Sequence, residues 1–271
     1  MRKALISVAP VSASSTNIDP AEIANDVIQC SKAGAGMVHL HVRDKNGKLT
    51  SDMTVLNEII GLIRKECDII IQASTGGISD LTIEERCVPV MSTLVESNSL
   101  NVGSVNLGDA VYLNPIKDVR YCVDKIIKNN KIPEIEVFEI GMIKATKDLT
   151  QEFNFVKPML FSIVLGHIGA SPATVRTLRS LIDSIDEFFP NKEEVLWGIT
   201  HANRKSFDII ETALDLGAST VRIGFEDSNF LDEVQTAKNN YLLVEEIARI
   251  IKNKGMLPYT PDEARKLLRI K

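Results

Sequence analysis

Short apolar runs, rich in β-branched residues, alternate along the chain with longer segments in which apolar residues recur every three or four positions. The first run, ALISVA, is followed by DPAEIANDVIQCSKAGA, and MVHLHV is followed by DMTVLNEIIGLIRKEC. The short runs have the length of buried strands, and the longer segments have the spacing of amphipathic helices. The pattern therefore predicts strand-then-helix units, the first helix capped by Asp19 with Pro20 at its first position.

The same alternation continues to the end of the chain. The other predicted strands are DIIIQAS, SLNVGSVNL, IPEIEVFEI, MLFSIVLG, VLWGITH and TVRIGF. A helical segment follows each of them, including TIEERCVPVMSTL after the third strand and NFLDEVQTAKNNYLLVEEIARIIKNKG after the eighth. PYTPDEARKLL, after the last unit, predicts a short C-terminal helix that begins at Pro261.

Eight strand-helix units decide between fold classes. The 271 residues contain no linker rich in Gly, Ser or Pro. Repeated units of this kind form parallel sheets, and eight of them predict a closed (β/α)8 TIM barrel, one domain over residues 1–271. A doubly wound open sheet is the structural alternative.

Composition narrows the partners and the compartment. The net charge of −5 is spread along the chain without a basic run, so we expect no nucleic-acid partner. No apolar stretch is long enough to span a bilayer, and the basic, apolar N-terminus stops at Pro10, as a first strand does. The four cysteines form no Cys-x-x-Cys pair, which excludes a zinc knuckle and fits a reducing cytoplasm.

All four histidines fall at predicted strand ends. His39 and His41 end the second strand and point to one face of it, while His167 and His201 end the sixth and seventh. An isolated His-x-His pair is often structural. In a TIM barrel, however, the carboxyl ends of all strands meet at the mouth that carries the active site, so the histidines are expected to converge there.

Other polar residues end the remaining strands. In VRIGFED, Arg222, Gly224 and Glu226 share one face of the eighth strand, and Asp227 begins the loop. Glu226 would complete a His2Glu set with His39 and His41, which leaves a coordination position open as catalytic zinc sites do; the same set also holds iron(II).

The substrate side of the mouth is predicted from three other strand ends. The STGG turn, Ser74, Thr75, Gly76 and Gly77, offers backbone N–H groups and hydroxyls to a carboxylate or phosphate, or is only a tight connection. The fourth strand ends near Asn101, and the fifth carries Glu134 and Glu136, at least one of which should enter the mouth. Arg222 and Asp227 either brace the loop or act as a base with its orienting cation.

Five motifs, in this order and at these distances, closely resemble the β-keto acid cleavage enzymes. They are VHLHVRD, IIIQASTGG, SLNVGSVNLGD, PEIEVFEIGM and VRIGFED, and the similarity covers nearly the whole chain. The resemblance implies a zinc-dependent barrel, usually a homotetramer. Such an enzyme condenses a β-keto acid with acetyl-CoA to give acetoacetate and a new acyl-CoA.

The resemblance also assigns residues. It makes His39, His41 and Glu226 the zinc ligands and Arg222 and Asp227 the catalytic pair, with Glu136 as an active-site glutamate. Ser74 and Gly77 match the substrate-carboxylate loop, and Ser99 and Asn101 match substrate-contact positions. Ser14 stands where the aminohexanoate-specific member has a glutamate for the substrate ammonium, so a hydroxyl, carboxylate, quaternary ammonium or alkyl distal group is equally compatible.

Two other functions remain open. A metal-dependent hydrolase of amidohydrolase type would use the His-x-His strand together with His167, His201 and Asp227. Its His-x-His pair usually belongs to the first strand, whereas a full strand-helix unit precedes it here. A noncatalytic barrel that captures an anionic metabolite would use the same cluster without turnover.

Overall fold

The computed structural model describes residues 1–270, and its eight parallel strands form a closed barrel. Each strand pairs with the next along the chain, and the eighth pairs with the first, Ser7 lying opposite Arg222. The predicted (β/α)8 barrel is thereby confirmed, and the open sheet is wrong. The strands are β1 (Lys3–Val8), β2 (Met37–Leu40), β3 (Ile70–Ala73), β4 (Ser97–Asn101), β5 (Ile132–Val137), β6 (Met159–Leu165), β7 (Val195–His201) and β8 (Thr220–Ile223).

Helices cover the outside of the barrel, and a last helix follows it. The side chain of Asp19 caps the first helix, whose first residue is Pro20, as the sequence predicts. Within residues 1–270, no helix combines the length and the apolar character needed to cross a membrane. The helices are α1 (Pro20–Ala33), α2 (Thr54–Ile63), α3 (Ile83–Arg86), α4 (Ile116–Lys128), α5 (Ile140–Glu152), α6 (Val175–Phe188), α7 (Asp208–Leu216), α8 (Asn240–Asn253) and α9 (Pro261–Leu268).

Two helices are shorter than their sequence pattern predicts. After α3 the chain turns into a 3₁₀ helix over Val88–Met91, because Pro89 lacks the N–H that an α-helix needs there. The eighth helix begins only at Asn240. Before it, the Asp232 carboxylate accepts the N–H groups of Val234 and Gln235, a local turn that competes with helix formation.

The fourth predicted strand is also divided. β4 ends at Asn101, and Val105–Leu107 pairs in antiparallel fashion with Ala110–Tyr112 as a hairpin above the barrel. Gly108 takes a left-handed φ of 64° in the two-residue connection. Asn106, which the pattern placed near the end of β4, therefore lies exposed in the hairpin.

The interior of the barrel changes from apolar at the amino ends of the strands to polar at the carboxyl ends. The C-terminal helix α9, predicted from its cap and proline, covers the apolar end. Arg265 holds it there through Glu96 at 2.6 Å and Asp68 at 2.9 Å. The residues that pack together at this end are Leu5, Met37, Ile70, Ile132, Leu160, Ala264 and Leu268.

Leu268→Ala should lower the free energy of unfolding by about 2–5 kcal/mol, because Leu268 is fully buried under the barrel and its loss leaves a cavity. Urea unfolding at equilibrium measures this effect. Leu94→Ala, the same change at an exposed residue in the turn before β4, serves as the control and should alter stability by less than about 0.5 kcal/mol. Equal effects of the two changes would show that α9 does not close the core.

Candidate active site

Three side chains of the kinds that bind metal ions come together at the end of β2 and in the turn after β8. His39 Nε2 lies 3.4 Å from His41 Nε2, and Glu226 Oε1 lies 3.3 Å from His41 Nε2 and 3.9 Å from His39 Nε2. Among residues 1–270, these three form the one group of potential metal ligands. The predicted convergence of His39, His41 and Glu226 is therefore present in the fold.

Glu226 reaches this point differently from the sequence pattern. β8 ends at Ile223, and Glu226 lies in a turn rather than on the face of the strand. Gly224 permits the turn, because its φ of 143° is left-handed and a Cβ there would lie 2.2 Å from the carbonyl oxygen of Ala9. The N–H of Glu226 then donates to that same oxygen of Ala9 at 3.1 Å.

The triangle of ligand atoms suits a tetrahedral zinc ion. Ligands about 2.1 Å from zinc in tetrahedral geometry lie about 3.4 Å apart, which matches two of the three separations. Two imidazoles and one carboxylate are also the donor set of catalytic zinc sites, in which the fourth position stays open. The residues therefore fit the metal that the sequence resemblance implies.

Gln72, on β3, forms a hydrogen bond with His39. The sequence analysis did not identify this residue. Its Oε1 lies 2.6 Å from His39 Nδ1, and both side chains are buried. Residues two apart on a strand share a face, so the position of Gln72 two residues before Ser74 was the available signal. Hydrogen bonding at Nδ1 turns Nε2 of His39 toward His41 and Glu226.

A buried arginine gathers the carboxylates of the site. Arg222 Nη2 donates to Glu226 at 2.7 Å, and Nε and Nη2 donate to the two oxygens of Asp227 at 3.0 and 2.8 Å. Arg222 Nη1 also lies 3.4 Å from Glu136. One guanidinium thus orients three acids, and the excess of negative charge favours a cation beside them.

Burial and these charges separate the pKa values of the carboxyls. Burial, opposed by Arg222 and reinforced by the neighbouring acids, raises the pKa of Glu136 to about 8. Burial also acts to raise the pKa of Glu226, but Arg222, His41 and His39 outweigh it and hold that pKa well below 4.5. Glu226 is therefore ionised near neutral pH, whereas Glu136 carries a proton.

The STGG turn borders the same cavity. Ser74 and Gly77 line it, with Ser74 Oγ 3.4 Å from Ser99 Oγ. Thr75 points away, since its hydroxyl donates to the carbonyl oxygen of Ser99 at 2.7 Å. Gly76 packs against Tyr112, where a Cβ would lie 1.5 Å from the phenolic oxygen. The hairpin that carries Tyr112 thus fixes the turn.

Seven candidate residues named from the sequence lie outside the cavity lining, namely Thr75, Gly76, Ser99, Glu134, Ser14, Asn101 and His201. Ser14 is exposed in the loop after β1 and pairs with Ser12 at 3.0 Å, while its neighbour Ala13 lines the cavity. Asn101 is buried, and its Nδ2 has no partner among the described residues. His201 takes no part in the ligand triangle or the lining.

The cavity has a volume of about 460 Å³, which is enough for a small organic acid. Its walls contain the His39, His41 and Glu226 triangle, Arg222 with its carboxylate partners, and the STGG turn. Apolar side chains fill the space between them. Arg43 and Lys48 add positive charge, so the opening attracts anionic molecules. Its lining includes His39, His41, Arg43, Lys48, Ser74, Gly77, Ile78, Leu107, Tyr112, Glu136, Phe138, Val164, His167, Thr200, Arg222, Glu226 and Asp227.

Comparison with known proteins identifies the family. The model of the β-keto acid cleavage enzymes matches residues 6–270. The chain belongs to the β-keto acid cleavage enzyme family. The family resemblance drawn from the five motifs is thereby confirmed.

Relatives in this family carry different substrate names. The chain is 36% identical over 252 residues to the 3-keto-5-aminohexanoate cleavage enzyme of Fusobacterium nucleatum, covering 92% of this chain and 89% of that protein. It is 28% identical over 306 residues to the 3,5-dioxohexanoate:acetyl-CoA acetone transferase of Paraburkholderia graminis, covering 100% and 96%.

A solved structure supports the fold alone. The apo structure of ObcA matches with a TM-score of 0.77 at 18% identity, over 94% of this chain and 66% of that chain. The present chain thus spans about two thirds of that protein. Family membership therefore rests on sequence, and the barrel is shared with a more distant protein.

Glu136→Gln should change the pH dependence of stability in the metal-free protein. With a pKa raised from 4.5 to about 8, Glu136 keeps its proton in the folded state while the unfolded chain releases it. Its stabilising contribution is present below about pH 4.5 and is lost as the pH rises to about 8. The unfolding free energy of the wild type, relative to the variant, should fall by up to about 1.4 kcal/mol per pH unit.

Urea unfolding of both proteins in the presence of a chelator, at several pH values between these limits, measures the difference. A wild-type advantage that stays constant with pH would contradict the raised pKa.

Proposed function

We propose that the protein is a zinc-dependent enzyme that condenses a β-keto acid with acetyl-CoA and releases acetoacetate and a new acyl-CoA. The observation that carries the proposal is the triangle of His39, His41 and Glu226 in one cavity with the Arg222–Asp227 pair. Family membership supports the same reaction class. The relative named 3,5-dioxohexanoate:acetyl-CoA acetone transferase supports acetyl-CoA as the second substrate.

His39, His41 and Glu226 would hold the zinc ion. Bound there, zinc would supply a Lewis acid that polarises the keto oxygen of the substrate, an effect worth several kcal/mol of barrier. Arg222 keeps Glu226 in place through the 2.7 Å hydrogen bond, so the ligand does not need to reorganise when metal binds.

Asp227 is the proton acceptor in this proposal. It would take a proton from the carbon between the keto and carboxylate groups, and Arg222 orients it by donating to both of its oxygens. Arginine itself stays protonated in proteins and is a poor base. Ser74 and the backbone of the STGG turn would hold the substrate carboxylate beside the acid and the metal.

That deprotonation is followed by the formation of one carbon–carbon bond and the cleavage of another. The resulting carbanion attacks the carbonyl carbon of acetyl-CoA and displaces CoA as its thiolate. The thiolate then attacks the original keto carbon and breaks the bond to the former α-carbon, which leaves as the carbanion of acetoacetate and is protonated. The acetoacetate therefore keeps two carbons of the β-keto acid and gains two from acetyl-CoA.

We further propose that the preferred β-keto acid has no distal ammonium. All three carboxylates in the cavity lining, Glu136, Glu226 and Asp227, already contact Arg222. The rest of the wall combines apolar side chains, including Ile78, Leu107 and Phe138, with the cations Arg43 and Lys48. A substrate ammonium would have no free carboxylate there, since Ser14 stands at the matching position and is exposed.

A homotetramer is part of the proposal and derives from the sequence resemblance. Exposed apolar side chains on and beside the hairpin support a subunit interface, including Val111, Leu113 and Ile168. Light scattering of the purified protein tests the mass, and a monomer would exclude the tetramer.

Mass spectrometry of the zinc-loaded protein with a panel of β-keto acids, with and without acetyl-CoA, tests the function. Acids with alkyl, hydroxyl, carboxylate, trimethylammonium and amino distal groups form the panel. We expect acetoacetate and a new acyl-CoA only when acetyl-CoA is present. The β-keto acid with an amino distal group should be converted slowly. Turnover that does not require acetyl-CoA would replace this function with the hydrolase.

A further inference from the structure

A chain of buried hydrogen bonds runs from His39 away from the cavity. Gln72 Oε1 meets His39 Nδ1 at 2.6 Å, and Gln72 Nε2 donates to Glu134 Oε2 at 2.7 Å. Gln72 is fully buried and Glu134 is 3% exposed. Glu134 does not contact the substrate in the proposed chemistry. Burying an ionisable carboxyl is costly, so its position suggests another role.

The partners of Gln72 decide which end of its amide faces His39. The Oε2 atom of Glu134 accepts from the NH2 group of Gln72, although burial raises the pKa of this carboxyl, so its charge does not by itself orient the amide. Ser97 favours the same orientation independently. Its hydroxyl donates to the carbonyl oxygen of Ile132 at 2.7 Å and therefore accepts from Gln72 Nε2 at 3.2 Å. The amide oxygen of Gln72 must then face His39.

The orientation of Gln72 in turn determines where His39 carries its proton. A neutral imidazole has one N–H and one lone pair, and an amide oxygen at 2.6 Å requires the N–H at Nδ1. The lone pair then lies at Nε2, the atom that faces His41 and Glu226. A flipped amide would place its NH2 against Nδ1, demand the opposite tautomer and put the amide oxygen against Glu134.

We propose that Glu134 and Gln72 are positioning residues that select the Nδ1–H tautomer of His39 and so prepare Nε2 for the metal. Glu134 acts through Gln72 and touches no ligand. The inference rests on the proposed zinc site for its purpose, but the tautomer is a property of the metal-free protein. The site therefore requires a hydrogen-bond acceptor at His39 Nδ1, whichever residue supplies it.

The first test measures the tautomer directly. Long-range proton–nitrogen NMR spectra of the metal-free protein, with nitrogen-15 in histidine, distinguish Nδ1–H from Nε2–H rings. His39 is assigned by the loss of its signals in His39→Asn. We expect Nδ1–H in the wild type, Nε2–H or a mixture in Gln72→Leu, and a mixture in Glu134→Gln, where only Ser97 still favours one orientation of the Gln72 amide.

The second test measures zinc affinity by competition with a chromophoric chelator. Loss of such an outer hydrogen bond typically weakens metal binding about 10- to 100-fold, and we expect this range for Gln72→Leu and its lower end for Glu134→Gln. The double variant Gln72→Glu/Glu134→Gln restores an acceptor at His39 and a donor behind it. It should recover the Nδ1–H tautomer and most of the lost affinity.

A buried polar residue elsewhere provides the control. Thr146 in α5 is fully buried and donates to the carbonyl oxygen of Met142 at 2.9 Å, so Thr146→Val removes a comparable hydrogen bond. It should change neither the tautomer nor zinc affinity. Glu134→Gln keeps the shape of the side chain and buries a neutral group in place of an acid, which favours folding.

The outcomes separate the two proposals. An Nδ1–H ring in both single variants, or no rescue in the double variant, would overturn the positioning role. A wild type that shows the expected tautomer and binds no zinc would overturn the proposed metal site and leave the positioning role standing.

Discussion

His41→Ala is expected to abolish stoichiometric zinc binding and to lower kcat/KM by about 10³-fold or more, while the barrel remains folded. The change leaves only His39 and Glu226 in the ligand triangle, and two protein ligands do not hold catalytic zinc. Losing several kcal/mol of Lewis-acid stabilisation corresponds to about three orders of magnitude in rate. His41 lies just beyond the end of β2, so its side chain contributes little to the barrel core.

Metal content by elemental mass spectrometry and secondary structure by circular dichroism measure these effects. His201→Ala is the matched control, because His201 also ends a barrel strand but lies outside the ligand triangle and the cavity lining. It should bind zinc as the wild type does. A His41→Ala protein that keeps both its zinc and its activity would remove His41 from the ligand set.

Asp227→Asn is expected to lower kcat by about 10²- to 10⁴-fold, the usual contribution of a positioned general base. Zinc binding should persist, because Asp227 is not in the ligand triangle. The amide keeps the shape of the side chain but cannot accept the proton. In the wild type, Arg222 donates to both oxygens of Asp227. The variant presents an NH2 group to Arg222 in place of one of these oxygens.

Steady-state kinetics and metal analysis on the same preparation separate this effect from loss of zinc. Asp215→Asn makes the same chemical change in an exposed residue that pairs with Lys254 on the surface, and it should leave kcat unchanged. Full activity in Asp227→Asn would assign proton transfer to another group.

The barrel was predictable because each strand-helix unit carries its own local signal. Apolar runs such as ALISVA have strand length, and Asp19 with Pro20 marks the start of the next helix. The site was predictable as far as the barrel rule reaches. Once strands are parallel and closed, side chains at their carboxyl ends must share one mouth, which is why His39 and His41 meet Glu226.

Features that depend on turns were harder to predict. The pattern of SLNVGSVNL resembles one strand, and only the Gly108–Asp109 pair indicates the hairpin that brings Tyr112 against Gly76. Glu226 was predicted on a strand face, but the left-handed Gly224 places it in a turn. Such positions are set by long-range backbone contacts that a single sequence does not display.

Gln72 shows a different limit. Its position on the inner face of β3 follows from alternation, yet a glutamine there has no chemistry that draws notice by itself. Its importance comes from its two partners, His39 on the adjacent strand β2 and Glu134 on β5, which lies beyond β4 on the other side. Only the assembled barrel reveals that pairing.

The most direct test of the proposed reaction follows the acetyl carbons. The zinc-loaded protein is incubated with an unlabelled β-keto acid from the panel and acetyl-CoA that carries carbon-13 at both acetyl carbons, and the products are analysed by carbon NMR and mass spectrometry. We predict label at the keto and methyl carbons of acetoacetate and none in the new acyl-CoA. Acetoacetate without label, or label in the new acyl group, would contradict condensation of the β-keto acid with acetyl-CoA.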